Sequence, residues 1–331
     1  MPPWGKQLRS TLPAPFAGAL GVSVAFLSFV AWDQAHWWRI KEDYSFGWLV
    51  PVFVALVVRD RWPKITATLA ECASASAARL AGWRRTLVAL GASGLLAVGA
   101  GAFALGAFYR AANGTSQPGT FMLTVGAAAI VLPLLWLNAP RAATVPADDF
   151  RCDARLRLVA LFLFPVLIWL VSAPLVSAIE IQVNLALLRR VVAVVAFAFD
   201  ALGLPIEQQG NVLVLPGGSV GVEDACSGIR SLTGCVFAGS FLAAMFVDRL
   251  WKKIALVMAA MALAFVANLA RSLFLTAWAY AKGPQAIEGT VHDVAGYAVL
   301  GLTVAGLLAL LPLLNLRLVP RGIRSGGERA C

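Results

Sequence analysis

Long apolar runs separated by short charged stretches dominate this chain. Runs able to cross about 30 Å of hydrocarbon lie near residues 15–32, 86–109, 120–138, 156–178, 227–247, 254–279 and 293–314. A further run, 46–58, is shorter, contains Pro51 and stops at Arg59, Asp60 and Arg61; it is read as crossing, with Tyr44 and Trp48 at the interface. The pattern predicts an all-α polytopic membrane protein with about eight transmembrane helices. Lys6 and Arg9 precede the first run as in a secretory signal, but no small-x-small cleavage pattern follows Trp32, so a retained first helix is expected.

Charge placement sets the orientation. With both termini cytoplasmic, the inner side receives Lys6 and Arg9, the basic residues between Arg59 and Arg85, those between Arg141 and Arg157, then Arg249, Lys252 and Lys253, and finally Arg317 to Arg329. Most of the 27 Lys and Arg therefore fall inside, as the positive-inside rule requires. Composition agrees: of 331 residues, 60% are hydrophobic and only 13% charged. The formal charge of +10 is then an orientation signal against an anionic leaflet, and no nucleic-acid partner is needed to account for it. The expected organisation is a cytoplasmic tail over 1–14, a single transmembrane domain over 15–315 and a basic cytoplasmic tail over 316–331.

Two segments between spans have a character of their own. Residues 180–204 follow a helix that has already emerged, and Arg189 with Arg190 in the middle would be costly at the bilayer centre. This predicts an amphipathic helix lying in the outer interface. Next, Asn211 to Leu215 is a strand-like run bounded by Gln-Gly and Pro-Gly-Gly, which predicts a small β-hairpin leading into Asp224 and Cys226. Ala and Gly enrichment within the spans suits close helix packing in lipid.

The chemistry-bearing residues sit at helix ends on one predicted side. Cys226 lies where a polar loop enters a membrane helix. Asp224 or Ser227 supplies an N-cap, and a first-turn thiol gains from the positive helix terminus, with Arg230 one turn on. Arg271 lies in the last third of a hydrophobic helix, with Asn268 three residues earlier on the same face to hold it. His292 opens the last helix. It is one of two histidines in the chain, a residue type able both to take and to give a proton near neutrality. Asp293 follows it, and Gly296 one turn later lets another helix approach. His36, beside Trp37 and Trp38, belongs to an aromatic belt instead. A plainer reading stands beside each: a buried hydrophobic thiol, an arginine snorkelling to headgroups, an interfacial histidine. Of the five cysteines, none forms a C-x-x-C pair, and disulfides are not expected on the cytoplasmic side; no metal or other cofactor is expected.

These same motifs resemble the exosortase and archaeosortase family of polytopic transpeptidases. The resemblance rests on ACSGIRSL around Cys226, NLARSLFL around Arg271, His292 with Gly296, and Tyr44, Ser45 and Gly47 before the second run. It implies Cys226 as nucleophile, with Arg271 and His292 as catalytic partners. Asp224, Ser227, Arg230, Asn268, Asp293 and Gly296 are supporting or substrate-binding candidates around them. It further implies a cysteine transpeptidase or protease of the bacterial inner membrane, its site facing the periplasm. The partners implied are exported proteins ending in a short motif such as Pro-Glu-Pro, a transmembrane helix and a basic cluster, together with an acceptor nucleophile. Phe46 stands where many relatives carry a histidine, and no soluble domain is seen after the last helix. Two other classes compete: a transporter with Arg271 in an anion-binding cavity, and a non-catalytic scaffold of an exopolysaccharide or secretion assembly. The absence of internal repeats and of paired broken helices speaks against the transporter.

Overall fold

The computed structural model describes residues 12–142, 145–147, 149–221, 228–247, 249–287 and 289–315. The chain is mostly helical. In order, it forms α1 (Ala14–Ile40), a 3-10 turn (Glu42–Leu49), α2 (Val50–Cys72), β1 (Ala78–Leu80), α3 (Gly82–Asn113), α4 (Gln117–Asn138), β2 (Val145–Ala147), α5 (Ala154–Ser172) and α6 (Ser177–Ala201). Then come β3 (Glu207–Gln209), β4 (Val212–Leu215), β5 (Gly218–Gly221), α7 (Gly228–Phe246), α8 (Leu250–Lys282), a 3-10 turn (Pro284–Ile287) and α9 (Thr290–Asn315). Among the described residues, 7 helices are long and apolar enough to cross a membrane: α1, α3, α4, α5, α6, α8 and α9 up to Pro312. The all-α polytopic architecture is therefore observed.

Two sequence expectations take a different form. The run 46–58 becomes the first half of a longer helix, α2, which continues through Arg59, Asp60 and Arg61 to Cys72 and is not among the helices apolar enough to span. Charged residues ended the apolar run without ending the helix, because Arg and Lys are good helix formers. The 180–204 segment is helical over Ser177–Ala201 and two-sided as expected. Leu188, Val191, Val192, Val195 and Phe199 are buried, whereas Arg189 and Arg190 are exposed. By length and hydropathy it also reaches the size of a span. In addition, Cys152 is disulfide-bonded, where reduced thiols were expected; Cys72 and Cys235 are free and buried.

The chain divides into two compact units. In the first, which includes Gly47–Pro174 and the residues up to Ile40, α3 packs on α4 through glycines. A Cβ at Gly99 would meet Ala129 and Ile130, one at Gly106 would meet Leu123, and one at Gly126 would meet the Phe103 backbone. With no hydrophobic drive between helices in lipid, such close approach is what holds them. Phe16, Ile65, Leu69, Leu135, Leu158 and Phe162 form the apolar core. Asp153 caps α5, accepting from the backbone N–H groups of Arg155 and Leu156, and its second oxygen accepts from Leu80 of β1.

This unit also buries a polar cluster. Gln34 donates to Thr124 Oγ1 at 2.8 Å and to the Trp169 carbonyl at 3.2 Å. Ser172 donates back to Gln34 Oε1 at 2.8 Å, Thr124 donates to the Thr120 carbonyl at 2.8 Å, and Trp37 donates to Thr120 Oγ1 at 2.9 Å. Alongside, buried Asp33 is ion-paired with Arg110, whose guanidinium lies over the Trp32 ring. Trp38 donates to the Ser172 carbonyl and its indole fills the space beside Gly47, where any side chain would collide with it.

The second unit holds Lys41–Phe46 and the described residues from Leu175 onward. The expected hairpin is present, extended to a three-stranded antiparallel sheet in the order β3-β4-β5. Its apolar face, Leu215 and Val220, packs on Ala279 and Tyr280 of α8 and on Ile287. The segment 41–46 is strapped to its own unit at four points. Lys41 Nζ meets both Glu180 oxygens at 2.8 Å, the Leu175 N–H donates to the Tyr44 hydroxyl at 3.0 Å, Thr233 donates to the Asp43 carbonyl at 3.1 Å, and Phe46 stacks on Phe237. Desolvation pushes the Tyr44 hydroxyl up to about 12, with Glu180 and Asp43 adding to the rise against the Leu175 bond.

Candidate active site

The site is built on α8 and α9, an antiparallel pair whose connection turns at Gly283 (φ 91°) and Gly289 (φ 66°), a conformation L side chains rarely adopt. Arg271 faces α9, where its Nη2 lies 2.9 Å from His292 Nε2 and 3.5 Å from the His292 carbonyl. A guanidinium has no acceptor, so Nε2 must accept and the neutral imidazole carries its proton on Nδ1. Two residues 21 apart in sequence, singled out separately from their surroundings, thus meet in one half-buried polar pair. Arg271 Nε is buried and has no hydrogen-bond partner among the described residues.

The remaining candidates are distributed unevenly around this pair. Gly296 lies against the guanidinium, and an added Cβ would sit 3.6 Å from Nη2, an ordinary contact, so Gly296 borders the site without being sterically obligatory. Asp293 Oδ1 is 3.7 Å from His292 Nδ1, and the Asp293 side chain is 70% exposed. That is beyond hydrogen-bond range, as expected for neighbours whose side chains diverge on a helix. Asn268 is buried on α8 and lines a narrow cleft with Leu232 and Phe265. Cys226, Asp224 and Ser227, and the side chain of Arg230, lie outside the described residues.

Helix register limits where the chain re-enters at α7. Gly239 of α7 packs on Ala260 of α8, and Leu232 shares its cleft with Asn268. The two helices are antiparallel, and continuing this pairing four residues from Leu232 to the start of α7 advances equally along both at about 1.5 Å per residue. The backbone at Gly228 is therefore level with Arg271. From the other direction, β5 ends at Gly221 with its sheet seated on the end of α8 and on the α8–α9 turn.

Thr233 and Phe237, which tie α7 to the 41–46 strap, were not foreseen from sequence. The signal was their four-residue spacing, one turn on one face of α7. Among the described residues, no three His, Cys, Asp or Glu side chains gather as metal donors.

Residues 37–309 match the family model described as transmembrane exosortase; the chain belongs to that family. No curated protein and no solved structure matches it. Membership supports a membrane-embedded transpeptidase role for this multi-pass protein.

Proposed function

We propose that this transmembrane exosortase is a cysteine transpeptidase that cleaves the C-terminal sorting segments of exported proteins. The observation that carries the reading is the 2.9 Å contact between Arg271 and His292. An arginine and a histidine on apolar helices are costly unless they pair or serve a polar reaction, and here they form a cation beside a proton carrier. The register of α7 on α8 adds support, because Cys226 precedes Gly228 by two residues, a reach of at most about 7 Å along the chain.

In this mechanism the Cys226 thiol passes its proton to His292 as the sulfur attacks the scissile carbonyl, forming a C–S bond while the carbonyl electron pair moves to oxygen. Arg271 donates to that oxyanion. Collapse of the adduct breaks the C–N bond, His292 gives its proton to the departing amine, and a thioester remains. His292 then takes a proton from the acceptor amine, or from water if the outcome is hydrolysis, as that nucleophile attacks the thioester, the C–S bond breaks and the Cys226 sulfur leaves. At rest Nε2 is occupied by the guanidinium, so Arg271 must release it before the ring can accept a proton there. The developing oxyanion is the competing acceptor that draws the guanidinium away. Proton transfer belongs to His292 because an arginine pKa exceeds about 12.

Orientation follows the loop charges: a bacterial inner membrane, the site toward the periplasm, the substrate a motif followed by a transmembrane helix and a basic cluster. The test is to incubate membranes containing the wild type with such a substrate and trap the acyl-enzyme by acid quench. A thioester on Cys226, lost in Cys226→Ala, is the expected result; processing at a near-normal rate by Cys226→Ala would sink the reading.

A further inference from the structure

Beside the Arg271–His292 pair, α8 and α9 enclose a trough of about 430 Å³ that is apolar along almost its whole length, Arg271 being its charged member. It has a small floor, Ala270, Ala295 and Ala298, between bulky walls that include Phe274, Trp278 and Leu302. Phe274 and Trp278 lie ring to ring at 5.9 Å. Thr290 and Leu302 mark its limits on α9, a run of roughly 18 Å at about 1.5 Å per residue. Its outer walls are uncovered: Val294 is 59% and Leu302 58% exposed.

We propose that this trough is the docking site for the membrane-spanning helix of the substrate. The inference rests on the transpeptidase reading and specifies which surface holds the part of the substrate that does not react. Small residues flanked by large ones are the relief into which the side-chain ridge of another helix packs. A single charge on the lining suits an occupant that is uncharged along the trough and turns polar at the level of Arg271, as a spanning helix does where it meets the scissile peptide. From the level of Arg271, beside Gly296, the trough runs about 9 Å further to Leu302 at helical rise, between one and two turns of contact for such a helix. Arg271 itself lines the trough, and its buried Nε has no hydrogen-bond partner among the described residues.

The experiment uses the full chain as Cys226→Ala in liposomes, so that binding is read without turnover. A benzophenone amino acid replaces Val294 or Leu302, or, for comparison, Val98 on the exposed face of α3, which is 67% exposed. The probe is a synthetic peptide of Pro-Glu-Pro, a Leu/Ala helix of about 20 residues and an arginine cluster. Peptide adducts at Val294 and Leu302 at least about tenfold above those at Val98 are expected, as is a further loss of about tenfold when Ala298→Trp fills the floor. Equal labelling at all three positions, or adducts with lipid alone, would overturn the proposal. The two readings separate cleanly. Processing of the peptide by the wild type without trough adducts leaves the transpeptidase and removes the docking site. Trough adducts with no thioester in the wild type do the reverse.

Discussion

The two units each bury charged and polar side chains among apolar helices, and they differ in what stands beside them. In the first, Asp33 has Arg110, Gln34 has Thr124, Trp169 and Ser172, and Thr120 serves both Trp37 and Thr124. In the second, Arg271 has one histidine and an unmet Nε beside an open trough. Among the described residues, unmet buried polar atoms occur in both units, Arg155 Nε and Trp169 Nε1 in the first as well as Arg271 Nε in the second, so what sets Arg271 apart is the open apolar trough beside it. Neither burial nor an unmet donor separates structure from chemistry in a membrane; open space beside the group does.

The comparison can be broken most sharply at the reacting centre. Cys226→Ala should abolish processing while the protein still inserts, read as substrate cleavage in membranes beside protein abundance. Arg271→Lys should lower the rate about 10² to 10³-fold, since an ammonium lacks the planar fork that reaches His292 and an oxyanion together; rates within a few-fold of wild type would place Arg271 with the structural residues. In the first unit the loss should appear in stability. Arg110→Ala strands a buried carboxylate and should cost about 3 to 5 kcal/mol, seen as a lower melting temperature in detergent, with the joint replacement Asp33→Leu and Arg110→Met recovering most of it. Thr124→Val leaves Gln34 short of an acceptor and should cost about 1 to 3 kcal/mol. Smallest is Glu180→Gln, which weakens a partly exposed bridge to Lys41 worth about 0 to 1 kcal/mol.

Much of the membrane architecture was legible because hydrocarbon imposes a length and polarity on every crossing. Arg271 and His292 stood out for the same reason: in an apolar run a guanidinium or imidazole needs a cause. What sequence could not supply was lateral register. It set Asn268 on the face of Arg271 to hold it, whereas Asn268 lines a cleft with Leu232 of α7 and Arg271 meets His292 of α9. It marked Gly296 for close helix approach, and the neighbour turned out to be the guanidinium itself. It ended a segment at Arg59, where the helix runs on to Cys72, since loss of hydrophobicity marks the edge of lipid and not the edge of backbone hydrogen bonding. The hairpin was visible in its turn residues, but the third strand was hidden in Gly-Ser-Val-Gly, which has too little side chain to show an alternating pattern.

The long α3 has a consequence for the whole membrane. Its only buried residues are the two glycines of its seam with α4, and Trp83 and Arg84 near one end stand about 40 Å from Tyr109 and Arg110 near the other at helical rise. That separation equals the distance between the two headgroup layers, about 40 to 45 Å. The helix is a draught mark: in a thinner bilayer it has to lean, and the glycine seam is the keel about which it would do so.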